Sequence, residues 1–148
     1  EDDFGLPTIL ALTRAVKYLE SQGVRKDISI IVSGGFFTPG ACLKALALGA
    51  DAVALGTVPL FALVHSQLEK VLPWEPLTQL VWYDGKYEAD LDVELAARSV
   101  RNVMISFMHE IEQAVRLLGK RSVSDVGPAD LVALDSWSAE VTGVRRAW

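Results

Sequence analysis

The strongest constraint on the fold is a pair of short apolar runs, each followed closely by a glycine turn and then by a helix start. The runs are Ile28–Val32 and Ala52–Leu55. Uninterrupted apolar runs rich in β-branched residues are typical of strands that are buried on both faces of a parallel sheet. Because a helix pattern separates the two runs, the sequence predicts a right-handed βαβ unit and an α/β fold.

Apolar residues at helical spacing, together with capping residues, predict the longer helices. Thr8, Thr38 and Thr57 are the expected N-caps, and Pro39 takes the first helical position after Thr38. Two prolines, two tryptophans and an Asp-Gly pair break the pattern in 73–92, and two short helical turns are expected in 122–135. The predicted helices are Pro7–Gln22, Pro39–Leu48, Thr57 to about Leu72, and Asp92 to about Leu118.

Composition and charge exclude several classes of protein. Hydrophobic residues make up 51% of the 148 residues and charged residues 22%, which is typical of a globular chain. The formal net charge is -5 and no basic stripe offsets it, which argues against a nucleic-acid partner. Cys42 is the only cysteine, which excludes a disulfide framework and a multi-cysteine metal site and favours a reducing, cytoplasmic compartment. No apolar run reaches the roughly 18 residues of a membrane span.

The two glycine turns are the candidate binding site. Gly34 and Gly35 follow the first run, and Gly56 with Thr57 follows the second. Glycine lets a ligand approach the backbone, and consecutive N–H groups before a helix form an anion-binding concavity. Neighbouring parallel strands would bring both turns to one sheet edge, where they converge on one phosphate. The alternative interpretation is that these glycines only permit tight strand-to-helix turns.

The stretch SGGFFTPGACLKALALGADAVALGT, residues 33–57, resembles the phosphate-binding half of FMN-dependent barrels. That group includes glutamate synthase, the 2-hydroxy-acid oxidases and type 2 isopentenyl diphosphate isomerase, and the related IMP dehydrogenases bind a nucleotide phosphate similarly. The flanks, GLPTILALTRAVKYLESQGV before the core and residues 76–135 after it, are similar to the FMN-binding glutamate synthase domain family. The resemblance covers nearly the whole chain, and residues 92–135 are its most family-specific part.

The resemblance implies the C-terminal portion of an FMN-type (β/α)8 TIM barrel with a helical C-terminal extension. Residues 1–72 would be the last strand–helix units with the phosphate-binding turns, and 73–148 a linker and helical extension that packs on the barrel. A complete barrel has eight strands in roughly 250 residues. The chain opens on Glu1 rather than Met, and we expect it to be a piece of a longer protein.

The resemblance also assigns the cofactor contacts. Backbone groups of Gly34, Gly35, Gly56 and Thr57 would hold the FMN phosphate, and Ser33 would lie near the ribityl chain. The hydroxy-acid oxidases have an acidic residue where this chain has Ser33, which argues against that branch.

The implied activity is FMN-dependent oxidoreduction, in which reduced FMN passes a hydride to 2-iminoglutarate formed from 2-oxoglutarate and glutamine-derived ammonia. Family members that hold an iron–sulfur cluster carry cysteines just after the second glycine turn. The corresponding stretch here, 58–80, has none, so we predict no cluster in this chain. Residues that cradle the flavin ring and the substrate would come from earlier strands, so the isolated chain is not expected to be active alone and no catalytic residue is assigned.

Other reactive residue types are assigned to packing or solvent. His65 lies in a helix two turns beyond Thr57, whereas a general base should project from a strand end or loop. His109 falls beside the apolar stripe of the long helix. Cys42 is near a helix N-terminus, which can lower a thiol pKa, but we expect a small buried hydrophobe. Lys44 either leans toward an anion or forms part of a solvated face.

The acidic residues Asp2 and Asp3 would border the substrate pocket or be solvated. The aromatic cluster in 74–87 has no basic residues suited to nucleic acid, so packing or subunit contact is the preferred role. Its members are Trp74, Trp82, Tyr83 and Tyr87.

Two further hypotheses stay open from the sequence. The chain could be a non-catalytic fragment or subunit that acts by self-association or by binding a partner, because two strands alone leave sheet edges unpaired. It could also belong to another FMN- or phosphate-binding barrel enzyme, an isomerase or a dehydrogenase. In either case we expect a homo-oligomer or packing against the missing part of a barrel.

Overall fold

The computed structural model describes residues 5–148, which form a mostly helical α/β protein with one parallel sheet of two strands. The strands are β1 (Ile31–Ser33) and β2 (Ala52–Ala54). The helices are α1 (Thr8–Ser21), α2 (Pro39–Ala47), α3 (Thr57–His65), α4 (Pro76–Leu80), α5 (Val93–Leu117) and α6 (Ser136–Thr142). The chain divides into two compact units, one joining the residues up to Ala54 with Glu110–Trp148 and the other formed by Leu55–His109.

The βαβ unit predicted from the sequence is present. β1 pairs with β2 in parallel, and α2 connects them. Two hydrogen bonds join Ile30 and Asp51 just before the strands begin. Ile30 N–H donates to the Asp51 carboxylate at 2.7 Å, and Asp51 N–H donates to Ile30 C=O at 2.9 Å. The Arg25 guanidinium adds a bond of 2.9 Å to the same carboxylate and thereby fixes the register from the amino end.

The prediction of a strand at Ile28–Val32 buried on both faces is wrong in two respects. The strand begins only at Ile31, and residues 28–30, which follow a 3-10 turn at Arg25–Asp27, have no regular secondary structure. Val32 is 6% exposed, but Ile31 on the opposite face is 67% exposed. Helices α1 and α2 contact the strands, whereas the face that carries Ile31 has no cover within residues 5–148.

Two of the three predicted threonine caps are also wrong. Thr38 caps α2 as expected and accepts a hydrogen bond from the N–H of Ala41 at 3.2 Å. Pro7 holds the N-cap position of α1, so Thr8 is the first helical residue. Gly56 holds the N-cap position of α3, so Thr57 is helical as well, and no side chain caps that helix.

Helix α3 ends at His65 rather than near Leu72, where the N–H of Gln67 bonds to Val64 C=O at 2.8 Å and the α-helical ladder does not continue. Gln67 is fully buried, and its carboxamide donates to Asp92 C=O at 3.0 Å and accepts from Asp92 N–H at 2.8 Å. Lys70 Nζ then donates to Gln67 Oε1 at 2.9 Å and to Asp90 C=O at 2.8 Å. The segment from 67 to 92, called the Gln67 loop below, is thereby closed at its base.

The Gln67 loop contains structure that the sequence predicted only as a break in pattern. Helix α4 lies in it, between 3-10 turns at Leu68–Lys70 and Glu88–Asp90. The Gln79 carboxamide accepts from Leu72 N–H at 3.1 Å and donates to the carbonyls of Leu72 and Trp74. The loop is therefore organised by side-chain bonds to its own backbone.

The long helix predicted at 92–118 is confirmed as α5, with Asp92 accepting a hydrogen bond from Leu95 N–H at 2.9 Å. Its last turns enter a core with α2 and the two 3-10 turns predicted in 122–135, which are confirmed at Val123–Asp125 and Pro128–Asp130. The buried members of that core are Leu43, Ala47, Val115 and Val126. No helix within residues 5–148 combines the length and the apolar character needed to cross a membrane.

Helix α6 was not predicted from the sequence. Asp135 caps it by accepting from Ser138 N–H at 2.7 Å, and the Lys17 ammonium of α1 donates to Val141 C=O at 2.9 Å. The helix is short and half-exposed, so its apolar periodicity is too brief to be recognised from sequence.

Candidate functional site

The first glycine turn follows β1 directly. Gly34 has φ +96° and Gly35 has φ +78°, a conformation that other residues adopt only with strain. Phe36 is buried after them, and the capped helix α2 follows. The fold alone therefore accounts for glycine at both positions.

The backbone donors of this turn are left without protein partners. The N–H groups of Gly35 and Phe36 donate no hydrogen bond to any group in the part of the chain that the structure describes. A cleft of about 610 Å³ opens beside them, and Thr8, Ala41 and Lys44 line it together with the turn. Free donors beside an open cleft are the requirement for an anion site on the backbone.

The second glycine turn follows β2. Gly56 has φ -110° and ψ -64°, values that other residues also adopt, and a Cβ added there would meet no atom within 4 Å. The N–H groups of Gly56, Thr57 and Val58 donate no hydrogen bond within residues 5–148. Neither backbone strain nor crowding in this chain requires glycine at position 56.

The strand register places both turns after equivalent strand ends. Ser33, the last residue of β1, pairs with Ala54, the last residue of β2. Ser33 is exposed, as its predicted role beside a ligand requires. Gly34 and Gly35 belong to the first compact unit, and Gly56 with Thr57 to the second.

Thr8 makes a contact that sequence reasoning missed. Its hydroxyl donates to Gly34 C=O at 2.9 Å and lies 3.5 Å from Ser33 C=O. The partners are 26 positions apart, so no local pattern marks the bond, and the only signal was a threonine at a helix start. The same hydroxyl cannot cap α1, because it faces the turn instead of its own helix.

The other candidates behave as packing or surface residues. Cys42 is 4% exposed, and burial raises the pKa of its thiol, which is the opposite of an activated nucleophile. His65 and His109 are exposed on their helices. Lys44 is exposed and is one of the residues that line the cleft beside the first glycine turn.

The acidic pair Asp2 and Asp3 lies outside the described residues. The aromatic cluster of the Gln67 loop is largely open to solvent, with Tyr83 93% exposed, so packing within the described chain does not account for it. Its role in subunit contact remains a prediction. No group of His, Cys, Asp and Glu side chains within residues 5–148 has the arrangement needed to hold a metal ion.

The chain is similar in sequence to glutamate synthases. A family model described as a conserved region in glutamate synthase matches residues 1–121. An archaeal glutamate synthase (NADPH) of Archaeoglobus fulgidus is 32% identical over 99% of this chain and 29% of its own length. A glutamate synthase large subunit-like protein of Rhizobium meliloti is 30% identical over 97% of this chain and 36% of its own length.

A shorter match involves another enzyme. An isopentenyl-diphosphate delta-isomerase of Mycolicibacterium gilvum is 36% identical over 49% of this chain and 19% of its own length. No solved structure matches the chain. The chain spans about a third of the length of the glutamate synthase relatives, at 29% and 36% of theirs.

Proposed function

The chain belongs to the glutamate synthase family, and on that premise we propose that it supplies the phosphate end of an FMN site in a glutamate synthase-like oxidoreductase. The proposed contacts are backbone N–H groups of Gly34, Gly35, Gly56 and Thr57, with Ser33 beside the ribityl chain. The substrate of the whole protein would be 2-oxoglutarate with glutamine-derived ammonia, and the product glutamate.

This proposal is supported mainly by backbone N–H groups that lack a hydrogen-bond partner at the ends of two paired parallel strands. β1 and β2 end in register, and each continues into a turn that has N–H groups without a partner within residues 5–148. Exposed donors lose little free energy in water, but two such turns after adjacent strands suit an anion with several oxygens. A phosphate monoester offers three acceptor oxygens.

The fit of a phosphate to this site is supported most directly by Gly56. Glycine at positions 34 and 35 has a sufficient reason in positive φ, whereas Gly56 has an ordinary φ and open space around its missing Cβ. A ligand that approaches the backbone closely explains glycine at such a position. The residues present therefore fit a phosphate.

The flavin would supply the hydride chemistry, and this chain would bind and orient the cofactor through its phosphate. The Lys44 ammonium would add a cation beside the first glycine turn, where the charge of the phosphate requires compensation. Groups that bind the ring and the substrate are assigned to other parts of the whole protein.

We also propose that the sheet is part of a (β/α)8 barrel. The support is the parallel βαβ order together with the uncovered strand face that carries Ile31. In a barrel that face would be covered by the inward side chains of the other strands.

The alternative, a self-associating subunit, would cover the same face with a second copy. Size-exclusion chromatography with light scattering separates them, since only the second predicts a stable oligomer of the isolated chain.

Titration with FMN, followed by quenching of flavin fluorescence, tests the cofactor proposal. We expect saturable binding that inorganic phosphate displaces, in this chain or in the longest protein that carries it. The control variant is Gly127→Ala, which lies outside both turns and changes a glycine of ordinary φ with open space around it. It should bind FMN as the wild type does. Binding that excess phosphate leaves unchanged would contradict a phosphate site at these turns.

A further inference from the structure

The hydroxyl of Thr8 acts on the first glycine turn across the fold. Thr8 opens α1, and its Oγ1 donates to Gly34 C=O at 2.9 Å. The second carbonyl in reach, that of Ser33, is 3.5 Å away. A hydroxyl has one proton to donate, so the shorter contact to Gly34 is the hydrogen bond that matters.

A carbonyl that is held in place also holds the next N–H group. The C=O of Gly34 and the N–H of Gly35 belong to one peptide unit, which is planar and trans, so they point in opposite directions. Fixing the carbonyl toward Thr8 therefore fixes the Gly35 N–H away from Thr8. That N–H donates to no protein group within residues 5–148.

The two glycines make this restraint necessary. Gly34 at φ +96° and Gly35 at φ +78° have no Cβ, so their shared peptide unit can rotate into other conformations with little steric resistance. Strand pairing ends at Ser33, and the α2 cap begins only at Thr38. Within the described residues, the Thr8 bond is the side-chain hydrogen bond that reaches the Gly34–Gly35 peptide.

We propose that Thr8 is the positioning residue of the first glycine turn, because its hydroxyl sets the orientation of the Gly34–Gly35 peptide and so directs the Gly35 N–H toward the ligand. The ligand direction rests on the proposed phosphate site. The orientation of the peptide itself does not, and it can be measured without any ligand.

The variants separate the hydroxyl from the shape of the side chain. Thr8→Val removes the hydroxyl and keeps the branched shape, Thr8→Ser keeps the hydroxyl, and Thr8→Ala replaces the valine variant should that one fail to fold. The matched control is Thr13→Val in the same helix, whose hydroxyl donates only to Ile9 and Leu10 carbonyls of α1.

The first measurement is backbone ¹⁵N relaxation of the ligand-free chain. In the wild type, the control and Thr8→Ser, we expect Gly34 and Gly35 to have the order parameters of rigid backbone, about 0.85, and in Thr8→Val values below about 0.6. Rigid glycines with unchanged amide shifts in Thr8→Val would overturn the positioning role, whatever the ligand does.

The second measurement is affinity for FMN and for riboflavin, which lacks the phosphate. One hydrogen bond to a charged group corresponds to roughly a tenfold change in affinity, so Thr8→Val should weaken FMN about tenfold and leave riboflavin unchanged. Thr8→Ser should restore FMN binding. Equal wild-type affinities for FMN and riboflavin would overturn the phosphate site and the ligand direction, while the relaxation data would still decide the role of Thr8 in the turn.

Discussion

The glycine-turn segment, residues 30–57, and the Gln67 loop, residues 67–92, are stabilised in different ways. In the glycine-turn segment backbone pairs with backbone, and β1 and β2 run in register into two turns with free N–H groups. In the Gln67 loop side chains pair with backbone, since Gln67, Lys70 and Gln79 bond to carbonyls and N–H groups along it. The first segment leaves donors free, whereas the second uses side chains, of which Gln67 is fully buried, to satisfy its own backbone.

The difference separates a binding function from a structural one. Free N–H groups beside a cleft can donate hydrogen bonds to an anion, whereas the Gln67 carboxamide is fully buried, bonded at both ends and not accessible to a ligand. Substitutions in the Gln67 loop should therefore change stability. Substitutions at Gly56 should change binding with little effect on stability.

The largest effect is expected from Gln67→Met, which keeps the length of the side chain and removes its donor and acceptor. Asp92 N–H would lose its partner, Asp92 C=O would keep only the bond from Ala96 N–H, and Lys70 would lose one of its two acceptors. Leaving buried polar groups unpaired costs about 1–3 kcal/mol each, so we expect the free energy of unfolding to fall by about 3 kcal/mol. Urea denaturation measures it.

The matched control is Gln113→Met, the same change at an exposed position of α5. Exposed substitutions away from such contacts usually change stability by less than about 0.5 kcal/mol. Equal stability of the two variants would mean that the Gln67 bonds do not hold the loop.

A second effect on the Gln67 loop is expected from Gly85→Ala. A Cβ at this position would lie 2.6 Å from Gln79 C=O and 2.7 Å from Thr78 C=O, and backbone atoms cannot move aside cheaply. Overpacking of this kind costs about 1–3 kcal/mol, and we expect about 2 kcal/mol by thermal denaturation. Gly127→Ala, with open space around the new Cβ, should change little. A neutral Gly85→Ala would show that α4 and the following turn move apart readily.

In the glycine-turn segment the expected contrast is between Gly34→Ala and Gly56→Ala. Alanine at φ +96° is strained and should lower the free energy of unfolding by about 1–2 kcal/mol. Alanine at Gly56, with φ -110° and open space, should leave it within about 0.5 kcal/mol. Chemical denaturation of both variants checks the pair, and equal losses would mean that position 56 is also constrained by the fold.

The smallest effect concerns pH. The N–H of Ile30, and after it the Arg25 guanidinium, lower the pKa of Asp51 despite the opposing effect of burial. Because the folded pKa lies below the unfolded value of about 3.9, the carboxylate contributes stability above that pH and loses it as pH falls through the folded pKa. Asp51→Asn should therefore flatten the decline of stability with pH in this acidic range, relative to wild type. Parallel curves for the two proteins would contradict a stabilising role of the Asp51 carboxylate.

The sequence predicted the glycine-turn segment well because its signals are local. β-branched runs, Thr38 before Pro39, and glycine after each strand all lie within a few residues of the structure that they determine. The family was also predicted from this segment and its flanks, and the family match confirms it. The uncovered face at Ile31 was not predicted, because burial of a strand depends on what packs against it and not on its own residues.

The Gln67 loop could not be predicted because its determinants are distant in sequence. Gln67 and Asp92 are 25 positions apart, and nothing near Gln67 distinguishes it from a surface glutamine. The same holds for Thr8, which fits a capping pattern but bonds to Gly34. Local propensity locates helices and turns, whereas contacts between side chains and remote backbone appear only when the chain is folded.

Under the proposed function, the chain binds the phosphate end of FMN on backbone N–H groups of the two glycine turns. The most direct measurement compares FMN with riboflavin, for the wild type and for Gly56→Ala, by flavin fluorescence. If the phosphate binds there, the wild type should prefer FMN. Gly56→Ala should be as stable as the wild type but lose most of that preference. Equal affinity of the wild type for the two flavins, or a preference that Gly56→Ala leaves intact, would contradict it.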